Sequence, residues 1–441
     1  MSCFNDILKG LFINRISPSE KIDVIIFGAS GFAGKHTVLE AVNTLKNFSW
    51  AIAGRNKQKL QDVLGEIGSK TQTDLSTIPV WVTNINDRFS LGAMAKKCRI
   101  VINCCGPYTL YGEAVIRACI AAGTHYVDLS AEPYFWEMMQ LKYNKQAKEN
   151  NVYIVFACGF HCMPADIGVN YVRDNFEGTL HSIEAYTECW SVDKESFGPI
   201  ASASVWASFI LLCTSLKEVP ALGKKMFTQA LPILFPMFHK KVVLDHSQLV
   251  PGVCIPFPLL DSQIVERSQF FLYKQYNIRP IQFYSYISFP SALFALVFLI
   301  WFLIIAFLTQ FERTRNLLLR HPNIFSLGLF NNDGPSEESL ENTFFRITFF
   351  AVGWPKSDRD PLSQFEEPPE ESLIARVSGK NPVYGVSCVA LLTSALTILE
   401  QCENMPGSGG VLSPAAAFAT TSIISELQKH EHGMVFGIKN K

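Results

Sequence analysis

At 441 residues the chain exceeds what one ordinary core supports, which predicts two domains. Charged residues make up 17%, below the roughly 25% typical of soluble proteins, while 34 phenylalanines help lift the aromatic share to 12%, so apolar surface is expected somewhere. A formal charge of -1 without a basic arm argues against nucleic-acid binding, and 12 scattered cysteines without paired zinc spacing read as free intracellular thiols, with no metal site expected.

Residues 1–20 form an N-terminal extension in which Phe4, Ile7, Leu8, Leu11 and Phe12 recur at helical spacing, with no apolar run of signal-peptide length. They suit a short packing helix, with a membrane-surface or mitochondrial-targeting helix as the other readings. From Ile22 to about Phe156, apolar β-rich runs alternate with helical patterns, the form of a doubly wound parallel sheet in an α/β protein. The strands are expected at 22–27, 50–53, 78–82, 100–104, 126–129 and 152–156. Between the last two, Phe135, Met138, Met139 and Leu141 are expected on the core face of a helix.

The first strand runs into "FGASGFAG", with Gly28, Gly31 and Gly34 opening a helix. Gly28 allows the tight turn, Gly31 lets backbone approach a pyrophosphate, and Gly34 lets helix and strand pack closely. The helix N-terminus adds unpaired N–H groups and a positive dipole. A dinucleotide is expected here, held by Gly28, Ser30, Gly31, Phe32 and Gly34. The second strand ends "AGRN", where Arg55 stands in place of the acidic residue that would hold the ribose hydroxyls of NAD(H). A guanidinium there pairs with a 2'-phosphate, so NADP(H) is expected, and an Arg55 that merely faces solvent or stacks on adenine would leave NAD(H) open.

The fourth strand ends in "NCCGPYTLYG", placed at the carboxyl edge of the sheet to meet the nicotinamide half. Gly106 and Pro107 shape that turn. Tyr108 is a candidate for orienting substrate or supplying a proton, set against an ordinary packed tyrosine. Cys104 and Cys105 read as small hydrophobes rather than nucleophiles.

Beyond residue 160 a second, α+β domain is expected, with polar loops at 331–342 and 355–372, a strand at 373–377, a helix from about Tyr384 to Leu399, and a terminal glycine turn leading into a helix that contains Pro414. Within it, Pro280 to Phe311 holds no charged residue, and 289–308 is long enough as a helix to cross a hydrocarbon core of about 30 Å. The flanking arginines and lysines are balanced, so they choose no orientation.

Together, "FGASGFAG", "AGRNKQKL", "VINCCGPYTLYGEAVIRACIAAGTHYVDLSAEP", "GFHCMPADIG" and the terminal "GGVLSPAAAF" resemble the saccharopine dehydrogenase-like oxidoreductases, most of all the animal membrane-associated members, with the mycobacterial trans-acting enoyl reductases one step away. The resemblance implies a Rossmann domain over 21–160, a substrate domain over 161–400 and a C-terminal helix within 401–441 that returns to the Rossmann core. It also implies nicotinamide chemistry and association with lipid droplets, mitochondria or endoplasmic reticulum. In the family's GFDSxPxD segment, His161 and Cys162 replace Asp and Ser here, while Asp166 matches. His161 is a candidate acid or a substitute for a structural partner, and Asp166 a proton carrier or the cap of the following helix. Asp128 and Glu132 of "VDLSAEP" read as anchors of a strand-end loop.

If the C-terminal helix returns to the Rossmann core, both ends of the apolar insert lie on one side of any membrane, which favours a hairpin or dipping helix over a single span; a buried core or oligomer helix is the remaining reading. The function expected is an NADP(H)-dependent oxidoreductase at a lipid surface, acting on an apolar, lipid-like carbonyl, imine or enoyl substrate, with homo-oligomerisation open. The alternatives are an amino-acid oxidoreductase of saccharopine type and a catalytically silent NADP(H)-binding protein.

Overall fold

In the computed structural model, the residues described are 21–192, 198–227, 230–232, 234–238, 244, 246–257, 259–357, 360 and 362–439. The N-terminal extension and its helical pattern lie outside them. The chain runs β1 (Ile22–Phe27), α1 (Phe32–Thr44), β2 (Trp50–Gly54), α2 (Lys57–Thr71), β3 (Val80–Val82), α3 (Arg88–Lys96), β4 (Cys98–Asn103), α4 (Tyr108–Ala122), β5 (His125–Asp128), α5 (Pro133–Glu149), β6 (Tyr153–Val155) and α6 (Met163–Asn175). It continues through β7 (Thr179–Ser191), α7 (Ala203–Ser215), α8 (Val219–Met226), β8 (Val253–Pro256), α9 (Leu260–Tyr276), β9 (Gln282–Phe289), α10 (Ala292–Leu308) and α11 (Glu312–Arg320). The remaining main elements are β10 (Thr343–Trp354), β11 (Glu371–Lys380), α12 (Ser387–Gln401), β12 (Gly410–Leu412) and β13 (Val435–Lys439).

A seven-stranded parallel sheet carries the order β12-β6-β5-β4-β1-β2-β3. The order in which strands are added reverses between β1 and β4, which opens a crevice beyond their carboxyl ends. The strands are apolar because helices cover both faces. Phe135, Trp136 and Met139 of α5 are buried there, but Leu141 is 41% exposed and is no core residue, because its side of α5 faces outward.

The second sheet is mixed, in the order β13-β11-β10-β7-β9-β8, with only β7 and β9 parallel. Its long central strands alternate: Phe345, Ile347, Phe349 and Ala351 face the core. Gly168 of α6 meets this sheet so closely that a Cβ there would stand 2.4 Å from the Phe349 ring.

Two expectations change. The terminal run is not one helix: Gly410–Leu412 pairs with β6 as the seventh strand, only a short helix follows at Pro414–Ala417, and the chain ends as an edge strand of the second sheet. The helix that packs on the nucleotide sheet is α12, against α1, β4 and β5. Pro382–Asn404 is long and apolar enough to cross a membrane, yet almost all of it is buried in the protein. The uncharged stretch also divides, its first part being strand β9 and its second the 17-residue helix α10. At 1.5 Å per residue α10 is about 25 Å long, short of a full crossing of about 30 Å.

His432 ties the last turn to the rest: its ring nitrogens meet Glu40 of α1 at 2.7 Å and Glu341 at 3.1 Å. These partners, Glu40 first, raise its pKa to about 9 against a burial effect of opposite sign. Protonated His432 is therefore favoured by folding, and its stabilisation is complete below the unfolded value of about 6.5 and is lost as pH rises through about 9. Between pH 7 and pH 10 the melting temperature should fall further for the unaltered protein than for His432→Gln; equal falls would remove this role.

Candidate functional site

The glycine loop leaves β1 at Gly28, whose φ of +86° suits glycine and whose N–H donates to Ala53 O at 2.9 Å. A Cβ at Gly34 would lie 2.1 Å from Gly28 O, so α1 presses directly on the loop. The N-cap of α1 is Gly31, with no side chain to satisfy the first amides, and Ser30 and Gly31 are exposed. A bare glycine cradle before uncapped amides fits a dinucleotide's pyrophosphate. Phe32 contributes its backbone to this terminus, while its ring turns away to Tyr384 at 4.6 Å and to Gly334 of the 331–342 loop. Arg55 follows β2, exposed, and close enough to Cys105 for its charge to act on that thiol.

The turn after β4 lies against the glycine loop: a Cβ on Gly28 would meet Cys105 Sγ at 2.6 Å. Burial pushes the thiols of Cys104 and Cys105 up to about 12, so neither is a thiolate at neutral pH. Gly106 and Pro107, joined by a cis peptide bond, are half-buried. Tyr108 is buried, its hydroxyl donating to Asn103 O at 3.1 Å and accepting from Leu129 N at 3.3 Å. Burial, with Asp128 nearby, lifts that phenol well above 10. The placement suits a group that holds the turn in shape.

Two buried carboxylates organise this edge. Asp128 accepts from Tyr126 OH at 2.8 Å, Ser130 Oγ at 2.6 Å and Ala157 N at 3.1 Å, joining the ends of β5 and β6. Burial raises it to about 6 even against these bonds. Glu132 reaches back to α4, accepting from Tyr108 N at 2.8 Å and Thr109 N at 2.7 Å, and also from Ser208 Oγ of α7 at 2.7 Å.

Past β6, His161 takes φ +72°, its ring 4.2 Å from that of Phe160. It is solvent-accessible, as is Cys189 of β7. Loss of water around it lowers His161 to about 4, leaving the ring neutral at pH 7. Cys162 is buried. Asp166 does not cap α6, being already one turn inside it; its Oδ2 accepts from Ser268 Oγ at 2.9 Å and from Ala415 N at 2.8 Å, so it caps the distant Pro414–Ala417 helix. Burial raises Asp166 to about 7 and its neighbour Asp261 to about 8. Oδ1 of each is buried without a hydrogen-bond partner among the described residues. Among those residues no cluster of three or more metal-ligating side chains occurs.

A sequence profile for the saccharopine dehydrogenase NADP binding domain matches residues 24–155. A lipid droplet localized protein of Caenorhabditis elegans is 34% identical over 92% of this chain and 96% of its own, and a human saccharopine dehydrogenase-like oxidoreductase is 31% identical over 94% and 96%. The chain belongs to the saccharopine dehydrogenase-like oxidoreductase family. It is thus an oxidoreductase whose parallel-sheet domain is NADP-binding. Apo saccharopine dehydrogenase (L-Glu forming) of Saccharomyces cerevisiae shares the fold, with a TM-score of 0.53 over 95% of this chain and all of that one, at 13% identity.

In this family member the fold brings the glycine loop and the 103–108 turn together. Ser208, which bonds Glu132 from α7, and Asp261 and Cys189, which lie near one another and near Asp166, escape the sequence reading; all three lie beyond residue 160. No local motif marks them; only the packing of α7, β7 and α9 does.

Proposed function

We propose that the protein is an NADP(H)-dependent reductase that works on an apolar, lipid-like carbonyl, imine or enoyl substrate at a lipid surface, a lipid droplet in the first instance. NADP(H), when bound, supplies or accepts the hydride. The backbone at Gly28, Ser30, Gly31, Phe32 and Gly34 would hold the pyrophosphate, and Arg55 the 2'-phosphate. Arg55→Ala should then cut the preference for NADPH over NADH about tenfold or more in binding titrations, the worth of one charge-assisted phosphate contact; an unchanged preference refutes that role.

Gly106, Pro107 and Tyr108 would shape the nicotinamide side. Neutral, solvent-accessible His161 can donate one N–H to a substrate oxygen. Asp166, one helical turn beyond Cys162 and able to hold a proton near neutrality, is the better proton source of the two candidates; Tyr108, bonded at both ends, is left with orientation. An amino-acid substrate would call for free cations, and Arg346, beside Cys189's strand partner Phe345, is already held by Glu188 at 2.9 Å.

The observation that carries the lipid reading is one face of α10. Leu293, Val297, Ile300, Ile304 and Phe307 recur at helical spacing and are all about half or more exposed, Leu293 at 68% and Phe307 at 64%. The opposite face packs on α7, with the rings of Trp301 and Phe209 stacked 5.6 Å apart. The same α7 bears Ser208, so one helix joins the apolar face to the loop that Glu132 holds. A helix packed on one side and apolar on the other suits lying in one leaflet.

The test is flotation with neutral phospholipid vesicles, together with NADPH consumption on a lipid-extract panel. The intact protein should float and Ile300→Glu/Phe307→Glu should not, partition falling at least about 30-fold because each buried side chain is worth about 1.5–3 kcal/mol. An intact protein that stays unbound overturns the lipid reading, and NADPH binding without consumption favours the silent alternative.

A further inference from the structure

The outer edge of the nucleotide sheet holds a cavity of about 990 Å³ between α5, α9 and the end of α8. It touches β12, four strands from β1 in the sheet order, so at about 4.8 Å per strand it lies roughly 19 Å from the glycine loop. Lys145 and Lys148 of α5, Lys225 of α8 and Lys274 of α9 line it, and among the described residues no carboxylate does. Glu149 approaches Lys145 only at 3.8 Å. Four lysines therefore border one space, and their charge favours an anion there.

The floor gives a second and independent sign. Arg267 lines the cavity with its side chain only 4% exposed; it meets Glu137 at 2.6 Å and donates to Gln140 Oε1. Its Nε has no hydrogen-bond partner among the described residues, and neither has Glu137 Oε2. One wall is aromatic, the rings of Phe227 and Phe270 stacking at 3.9 Å, and Leu141, exposed on α5, extends it. The space falls within the range of small-molecule sites.

We infer that this cavity is a second ligand site, for a phosphate ester whose phosphate meets the lysines and whose apolar part lies against Phe227 and Phe270. It is separate from the nucleotide site and does not depend on the nature of the reduced substrate. The lysines attract the phosphate, and the aromatic wall favours an ester with an apolar part.

The phosphate can come from a lipid headgroup or from a soluble ester, and two probes separate these sources. Calorimetric titration of the full chain with monomeric short-chain phosphatidic acid should show binding. Lys148→Gln/Lys274→Gln should weaken it about 25-fold, at about fivefold per cation near an anionic headgroup, with NADPH binding unchanged as the check on folding. Glycerol 3-phosphate binding as well as the lipid would assign the site to soluble phosphate esters, and weaker binding would assign it to lipid headgroups; either supports the site. Absence of binding by both probes, or a double variant within twofold of the unaltered protein, overturns it.

Discussion

Gly34→Ala is expected to weaken NADPH binding by about 30-fold or more and to cost roughly 2 kcal/mol of stability, within the usual range for overpacking a tight contact. The new Cβ would stand 2.1 Å from Gly28 O and 2.7 Å from the Cα of Ala29. Both are backbone atoms of the loop itself, so no side chain can swing aside. The loop in turn has nowhere to retreat. Gly28 N is bonded to Ala53 O at 2.9 Å on one flank, and the Cys104–Cys105 turn lies within 3.1 Å of where a Gly28 Cβ would be on the other. Relief must come from lifting α1 off β1, which moves the uncapped amides at Gly31 away from the phosphates they should meet.

A control separates this from the general cost of losing a glycine. Gly92 lies inside α3 with nothing within 4 Å of an added Cβ, so Gly92→Ala should bind NADPH as before and gain about 0.5–1 kcal/mol from better helix propensity. Fluorescence titration with NADPH and urea unfolding measure both variants. An affinity for Gly34→Ala within about threefold of the unaltered protein would mean that the loop does not hold the pyrophosphate.

The difference between these two glycines marks how far the sequence could be read. Gly34 announced its task because a strand precedes it and a helix follows, all within a dozen residues, and the six strands of 22–155 were legible for the same reason: apolar runs of regular spacing depend only on neighbours in the chain. Gly410–Leu412 was not legible as a strand. Three residues carry no periodicity, and what makes them a strand is the free edge of β6, to which nothing local points. The apolar run of α10 was plain, but its division into a packed and an exposed face was set by Trp206, Phe209 and Ile210 of α7, far away in sequence. Asp166 was recognised as a family position, yet its partners Ser268 and Ala415 come from α9 and the terminal run, so capping of its own helix was the natural local reading and the wrong one.

Glu132→Ala should be the most destabilising single change at the site, by roughly 4 kcal/mol in urea unfolding. Helix α4 begins at Pro107 with no side-chain cap of its own, and the 1%-exposed Glu132 carboxylate accepts from the first two amides at 2.8 and 2.7 Å. It also accepts from Ser208 Oγ at 2.7 Å. Alanine leaves three donors without an acceptor, Tyr108 N buried and the other two part-buried, at about 1–3 kcal/mol each and less than additively because they share one partner. It also removes a negative charge from the positive end of the α4 dipole. Ser208→Ala deletes one donor and leaves the cap, so about 1 kcal/mol is expected. Glu132→Gln should fall between, since the amide presents an NH2 to one of the donors. If Glu132→Ala and Ser208→Ala cost the same, the carboxylate serves α7 and not α4, and the turn that bears Gly106 and Pro107 is held from elsewhere. If the order is as expected, a single carboxylate sets the shape of the nicotinamide-side turn and fastens to it α7, the helix on which α10 packs, so that Glu132→Gln should reduce NADPH turnover more than it reduces stability.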